Sequence, residues 1–317
     1  MRTKHQVLAL LESQRGDHVS GERIAAQLNV SRAAVWKAIE ALRDEGHEIA
    51  AVSNKGYRLS EHDDVLSAQG IRAQLVQDVD VHVYANVAST NESAKELAMA
   101  GASHGTVVVA NEQTAGRGRY GRGFHSPAGQ GVYMSLILRP EHLWLNTPTL
   151  ITSFAAVAVC EVVEQLCSKQ PGIKWVNDIF LGPKKICGIL TEAVTDFESG
   201  QIGWIVVGIG VNFTGEFSGE LREIAASLFA GERPTTTRNA LIAGIVNRML
   251  VMKDEGALLA QYKSRLNMLN RQVLVKGGEE YVATAIDIDD HARLIVRTAG
   301  GETRALSSGE VSIVNLN

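Results

Sequence analysis

Near the start of the chain, apolar residues recur at helical spacing twice in quick succession. Ile24, Ala25 and Leu28 share one face of a short segment that Ser20 can cap and Asn29 can close. Only Asn29 and Val30 separate it from a second helix, capped by Ser31, in which Val35, Ala38, Ile39 and Leu42 fall at i, i+3, i+4 and i+7. Two short helices across a tight turn predict a helix-turn-helix. The β-like runs 47–52 and 57–59, joined by Ser53, Asn54, Lys55 and Gly56, predict a hairpin wing behind it. Arg32, Lys37, Arg43 and, in part, Trp36 lie off the apolar stripe. Ser31, Arg32 and Lys37 are therefore candidates for the DNA major groove, and Lys55 and Arg58 of the wing for phosphates or the minor groove. A winged helix used only for protein contacts fits the same pattern.

The polar run Glu61, His62, Asp63 and Asp64 has no helical or strand face to bury and marks a boundary. Beyond it, β-like runs at 82–87, 106–110, 132–138 and 204–209 alternate with helical stretches at 91–100, 149–167 and 236–250, which predicts a mixed α/β or α+β domain. From Arg271 the pattern changes to short strands at 273–275, 281–287, 293–296 and 311–314. The turns between them hold Gly277 and Gly278, Asp289 and Asp290, and Gly300 and Gly301, a spacing that suggests a small SH3-like barrel. The expected domains are 1–62, 65–270 and 271–317.

A length of 317 residues suits two or three domains, and a chain that is 45% hydrophobic and 21% charged with 6 prolines is neither disordered nor of low complexity. The net charge of −4 argues against a protein that coats nucleic acid. Residues 1–60 carry nine Lys and Arg against seven Asp and Glu, a net of +2, so one head alone binds DNA weakly and a dimer is expected. The apolar stretch 150–163, broken by Thr and Ser and ended near Glu161, falls short of the roughly 20 residues of a membrane span. With no signal-peptide cleavage site near the start, a cytoplasmic protein without membrane contact is expected. Cys160, Cys167 and Cys187 form no CxxC pair and read as reduced core thiols.

The most unusual loop runs from Gln113 to Gly123. It carries Arg117, Arg119 and Arg122 among four glycines, with no acidic residue between Glu112 and Glu141. Glycines let backbone approach a ligand and let the loop move, and guanidinium forks suit carboxylate and phosphate. A solvated basic turn or an RNA-binding tract has the same composition. In Lys174-Trp175-Val176-Asn177-Asp178 a carboxylate neighbours a lysine at a strand end, which suits a metal-bound phosphate or a ribose hydroxyl, or equally a surface ion pair. Lys185 precedes a β-like run containing Gly188 and is a candidate for the reacting centre. Gly208, Gly210 and Asn212 end another strand, but Phe213 at the sixth position excludes a dinucleotide fingerprint, and no P-loop is present.

Taken in order, Ser89-Thr90-Asn91, Gln113 with GRGRYG, KWVND, KKICGIL and GIGVN resemble the bacterial biotin protein ligases, in the longer form that is also the biotin operon repressor. The resemblance spans almost the whole chain and ends in Ser307-Ser308-Gly309-Glu310-Val311-Ser312; lipoate ligases share the core fold, but GRGR and this ending favour biotin. It implies a class II synthetase-like central domain that uses biotin, ATP and Mg2+ to make biotinyl-5'-AMP. A lysine of a biotin carboxyl carrier protein then takes the biotin, and the adenylate-bound homodimer represses biotin genes at operator DNA. By the same resemblance Ser89, Thr90, Asn91, Gln113 and Gly116 line the biotin site, with Gly188 and Gly210 as close-approach positions. Arg117 and Arg119 close over the adenylate, and Lys185 meets the biotin carboxylate and α-phosphate. Arg122, Lys174, Asn177, Asp178 and Asn212 belong to the ATP site, with Asp178 near the metal. Two departures stand out: Val176 occupies a position where proline is commoner in the family, and no Trp lies between 213 and 233. That leaves adenine stacking unassigned, with Ala225, Ala226, Ser227 and Leu228 as one candidate segment. Competing readings are a ligase whose winged helix does not regulate, and a biotin-sensing repressor without catalysis.

Overall fold

The computed structural model describes residues 2–143, 147–195, 200–251, 254–276, 280–307 and 309–314. The expected turn at Gly277 and Gly278, and Ser308 of the terminal run, lie outside the described residues. The head contains α1 (Arg2–Ser13), α2 (Gly21–Leu28) and α3 (Arg32–Asp44), followed by the hairpin β1 (Ile49–Val52) and β2 (Gly56–Leu59). Ser20 caps α2 by accepting from the Arg23 N–H at 3.1 Å, Ser31 caps α3 through Ala34 at 3.1 Å, and Asn29 closes α2 with φ at 53°. The first wing strand is shorter than the predicted run 47–52, and the second begins one residue before the predicted 57–59. Gly56 is forced: with φ at +99°, a Cβ there would lie 2.2 Å from the Val19 carbonyl oxygen. Sequence reading missed α1, whose Val7, Leu8, Leu10 and Leu11 join Ile24, Ile39, Leu42 and Leu59 in a core belonging to the head alone. Its apolar face was too short to stand out beside a charged start.

The central region begins with α4 (Ala68–Arg72), β3 (Val81–Tyr84), α5 (Thr90–Met99), β4 (Val107–Ala110), β5 (Gly131–Leu138) and α6 (Pro148–Cys167). Then come β6 (Gly172–Lys174), β7 (Asp178–Leu181), β8 (Lys184–Thr195), β9 (Ile202–Asn212), α7 (Leu221–Ile224), α8 (Arg238–Val251) and α9 (Glu255–Arg265). One seven-stranded sheet holds the order β3-β4-β5-β9-β8-β7-β6, parallel only between β3 and β4. α6 and α8 cover one face; α5 covers part of the other with Ala94 and Ala98 against Val108, Ile137 and Val206. The segment Thr149–Cys167 is longer and more apolar than the sequence reading of 150–163 allowed, enough by length and composition to cross a membrane; it is packed as a core helix instead. Its Cys160 and Cys167 are free and buried, as is Cys187, and burial pushes the first two thiols up to about 12 and about 11 and Cys187 in the same direction.

The last strands are β10 (Gln272–Lys276), β11 (Tyr281–Ile288), β12 (Leu294–Thr298), β13 (Thr303–Leu306) and β14 (Glu310–Ile313), an antiparallel sheet in the order β13-β12-β11-β10-β14. This sheet does not bury a core apart from the central region. Val273, Ala285, Leu294 and Val311 belong to the central cluster, and the Trp175 indole N–H donates to the Ala292 carbonyl at 2.9 Å.

The segment 61–64 forms neither helix nor strand, as expected, but it is not wholly solvated, for Asp63 is buried while Glu61 and His62 are exposed. Asp63 is fully buried, meets His47 Nδ1 at 2.9 Å and accepts from the Glu48 N–H at 2.7 Å. Asp64 accepts from Arg238 Nε at 2.7 Å, and Arg238 reaches on to Asn111 Oδ1 at 2.9 Å. Polarity gave no hydrophobic signal there, yet the cost of burying a carboxylate is offset when both oxygens are bonded, as those of Asp63 are to His47 and Glu48.

Candidate active site and nucleic-acid interface

A cavity of about 570 Å3 opens between the glycine-bearing ends of β8 and β9, the arginine loop and the edge of β14. Its floor is set by register: Gly188 of β8 pairs with Gly210 of β9. A Cβ on Gly210 would lie 2.5 Å from Phe124 Cε1, and one on Gly188 would lie 3.1 Å from Lys185 Nζ. The two glycines thus leave a trough that holds the Phe124 ring and the lysine ammonium. Phe124, whose N–H donates to the Gly116 carbonyl at 2.8 Å, was not singled out from the sequence. An apolar ring at the end of an otherwise basic glycine loop was the available signal. Gly116 itself does not line the cavity. A Cβ there would lie 2.6 Å from the Phe124 carbonyl oxygen and 2.7 Å from Ser126 Oγ, so its role is to let the loop close on itself.

One wall is a continuous polar chain. Gln113 Oε1 accepts from the Thr90 N–H at 2.9 Å and from its hydroxyl at 3.1 Å, and Gln113 Nε2 donates to Ser126 Oγ at 2.9 Å. Ser135, buried in the middle of β5, lies 2.8 Å from Thr90 Oγ1 and donates to Asn91 Oδ1 at 2.6 Å. Asn91 Nδ2 donates to Glu192 at 2.6 Å, and Glu192 accepts from Lys95 at 2.6 Å. Burial works against the Lys95 ammonium, but its bonds to Glu192 and Glu92 together outweigh that and hold its pKa above the usual range. Glu92 continues the chain to Arg117 at 2.7 Å. Gly208 belongs to this wall, since a Cβ would lie 2.2 Å from Asn91 Oδ1. Ser135, Lys95 and Glu192 were not singled out from the sequence; a lone serine inside the apolar run of β5 was the one legible sign. Ser89 occupies the N-cap position of α5 without making a side-chain capping bond, and it faces the cavity.

The opposite wall is charged. Lys185 Nζ lies 2.7 Å from Asp178 Oδ1, and Lys174 pairs in register with Asp178 across β6 and β7. Arg119 donates to Asn177 Oδ1 at 3.2 Å, with its guanidinium 5.0 Å from the centre of the Tyr120 ring. Arg122 grips Glu310 of β14 with two bonds, at 3.1 and 2.6 Å, and holds that carboxyl below its usual pKa range. Of the three arginines, then, Arg117 and Arg122 already hold carboxylates, and Arg119 alone faces a neutral partner. Asn212 is turned into the strand end, where its amide donates to the Ala226 carbonyl at 3.1 Å. Of residues 225–228 only Ala225 lines the cavity; Ser227 and Leu228 are buried away from it, while Phe217, Leu221 and Ile224 add apolar surface. Among the described residues no group of three His, Cys, Asp or Glu could hold a metal ion.

In the head, Arg32, Lys37, Lys55 and Arg58 are exposed, as is Ser31, whose hydroxyl is used in capping. Arg43 is drawn away from this surface: it pairs with Glu40 at 2.7 Å and donates to the Ile49 carbonyl at 2.9 Å, fastening α3 to the wing.

A pocket floored by glycines and Phe124, with a polar wall on one side and paired charges on the other, in a chain with a winged helix-turn-helix, suits an enzyme core for a small ligand joined to a DNA-binding head. Residues 83–212 match the Biotin/lipoate A/B protein ligase family, 3–58 match an HTH domain, and 268–314 match the Biotin protein ligase C terminal domain. The chain is 46% identical over 240 residues to the bifunctional ligase/repressor BirA of Bacillus subtilis, covering 73% of each protein. It is 31% identical to the bifunctional ligase/repressor BirA of Escherichia coli over 327 residues, covering 97% of this chain and 96% of that one. Among solved structures, the biotin protein ligase from Aquifex aeolicus in complex with biotin and ATP superposes with a TM-score of 0.64 at 25% identity, over 75% of this chain and 99% of the other. The chain belongs to the family of bifunctional biotin ligase/repressors.

Proposed function

We propose that this chain activates biotin with ATP, transfers it to a lysine of a biotin carboxyl carrier protein, and, as the adenylate-bound dimer, represses biotin genes. The observation that carries the catalytic reading is the Lys185 ammonium held over the Gly188–Gly210 trough, 2.7 Å from Asp178 and beneath the arginine loop. Biotin's fused rings sit at the polar wall of Thr90, Asn91 and Gln113, and its carboxylate points toward Lys185. A carboxylate oxygen bonds to the α-phosphorus of ATP and pyrophosphate departs. In the second step the carrier's amine attacks the acyl carbon, AMP leaves and a proton is lost. Lys185 and Arg119 bring together two anions that otherwise repel and stabilise the charge on the phosphorus as it gains a fifth oxygen. Mg2+ fits as a companion of the nucleotide's phosphates: a lone carboxylate, Asp178, suits a metal that keeps most of its ligands from water and phosphate. Phe217, Leu221, Ile224 and Ala225 offer the adenine an apolar rest in place of the absent tryptophan.

The finer architecture follows the same reading. Residues 1–62 form the DNA-binding head, 65–270 a class II synthetase-like catalytic domain, and 271–317 an SH3-like barrel that helps hold ATP and the carrier. Both the carrier and operator DNA imply a cytoplasmic protein.

Biotin-dependent exchange of pyrophosphate into ATP tests the enzyme; its absence removes the catalytic reading and leaves a biotin-sensing repressor. Footprinting of operator DNA with and without biotin and ATP tests the switch. Protection is expected only with both, and equal protection without them leaves a ligase whose head does not regulate. Apo-carrier is expected to lower occupancy, because it consumes the adenylate and competes for the dimer surface.

Gly208→Ala tests the polar wall. The new methyl collides with Asn91, and overpacking of this kind costs about 1–3 kcal/mol. The KM for biotin is expected to rise about tenfold or more, with kcat changed less. An unchanged KM detaches the Asn91–Glu192–Lys95 chain from biotin binding.

A further inference from the structure

α3 buries Val35, Ala38, Ile39 and Leu42, and beside that stripe Trp36 stands 55% exposed. Trp36 is one turn from Arg32, with exposed Ala33 between them and exposed Lys37 next to it. No acidic residue occurs between Ser31 and Ile39, and the first one on the helix, Glu40, is neutralised by Arg43 at 2.7 Å. Asp44 and Glu45 lie at the far end, where Glu45 pairs with Lys4. The amino-terminal half of α3 therefore offers a large exposed aromatic ring flanked along the helix by Arg32 and Lys37, and Lys55 and Arg58 of the wing add more exposed positive charge to the head. An indole left in water gains from burial, and this one sits where the surrounding charge selects a polyanion over an ordinary protein surface.

Resting on the DNA-binding reading above, we propose that Trp36 is a sequence-reading residue of the head, packing its ring on the C5-methyl of a thymine in the major groove of each operator half-site. The major groove is the one place where duplex DNA exposes an apolar group that differs between bases, and the first turns of a recognition helix are what enter it. Arg32 and Lys37 fix the helix on the phosphates or on neighbouring guanines, and Trp36 supplies discrimination without charge.

The test uses the full chain with biotin and ATP. A duplex is selected from a random library, and its thymines are then replaced one at a time by deoxyuridine, which removes only the methyl. Wild type is expected to lose about fourfold in affinity at one thymine per half-site, the worth of one buried methyl. Trp36→Ala is expected to bind the selected duplex more weakly, to be indifferent to that replacement, and to keep the wild-type salt dependence because no phosphate contact is lost. Its pyrophosphate exchange and melting temperature stay at wild-type values, which separates lost reading from lost folding. Equal deoxyuridine sensitivity in wild type and Trp36→Ala overturns the proposal. So does a weaker variant whose defect tracks dimerisation in sedimentation, which makes Trp36 a contact between copies. Failure of the wild-type protein to select any sequence overturns the DNA-binding reading itself.

Discussion

Lys185→Ala loses biotin-dependent pyrophosphate exchange by about a hundredfold or more while its melting temperature falls by no more than a few degrees. The magnitude follows from the position of the charge: removing one preorganised donor from a transition state that develops charge typically costs 10²–10³ in rate. Stability falls only modestly, because the Lys185 and Asp178 side chains are 31% and 23% exposed, although Asp178 Oδ1, the oxygen 2.7 Å from the lysine, is itself buried and has no other hydrogen-bond partner among the described residues. Removal of a partly solvated ion pair is far cheaper than removal of a buried one. Exchange within about threefold of wild type, a change of only ~0.65 kcal/mol in the barrier, withdraws Lys185 from the reaction. Binding of the head to non-specific DNA is unaffected in either case.

Arg119→Gly has the second-largest effect, on retention of the adenylate rather than on its synthesis. Its guanidinium is the one in the loop not already bonded to a carboxylate, bonded instead to Asn177 at 3.2 Å and resting over Tyr120, so it can turn to a phosphate at small cost. A hydrogen bond to a charged group contributes about 1.5–3 kcal/mol, which predicts dissociation of biotinyl-5'-AMP faster by roughly ten- to a hundredfold. Lys185 remains to assist the chemistry, so single-turnover synthesis falls much less. Escaped adenylate labels bystander lysines on unrelated proteins. An off-rate equal to wild type removes Arg119 from the gate and shifts retention to the clasp between Arg122 and Glu310.

The helices and wing of the head were legible because each uses a local rule. Ser20 and Ser31 cap, Asn29 takes the left-handed conformation, and the apolar stripe has one period throughout α3. The site was legible in part. Lys185, Asp178, Asn177, Arg119, Gln113 and the strand glycines lie in short motifs, and all converge on one cavity. The partners of Arg117 and Arg122 were not legible, since Glu92 and Glu310 lie 25 and 188 residues away in sequence. No periodicity links a loop arginine to a strand carboxylate so distant.

The amino-acid sequence by itself determined the recognition helix, the arginine loop, the strand-end glycines and the absence of any dinucleotide fingerprint. Each is a statement about neighbours along the chain, where backbone propensity and side-chain chemistry act over a few residues. Tertiary structure alone decided which groups remain free to act. It set Gly188 opposite Gly210, laid Phe124 in the trough they leave, and spent Arg117, Arg122 and Arg43 on carboxylates. It also buried Asp63 and left Trp36 in the open. Burial and ion pairing depend on what the folded sheet brings to within a few ångströms, and that distance is fixed by register and packing rather than by order in the chain.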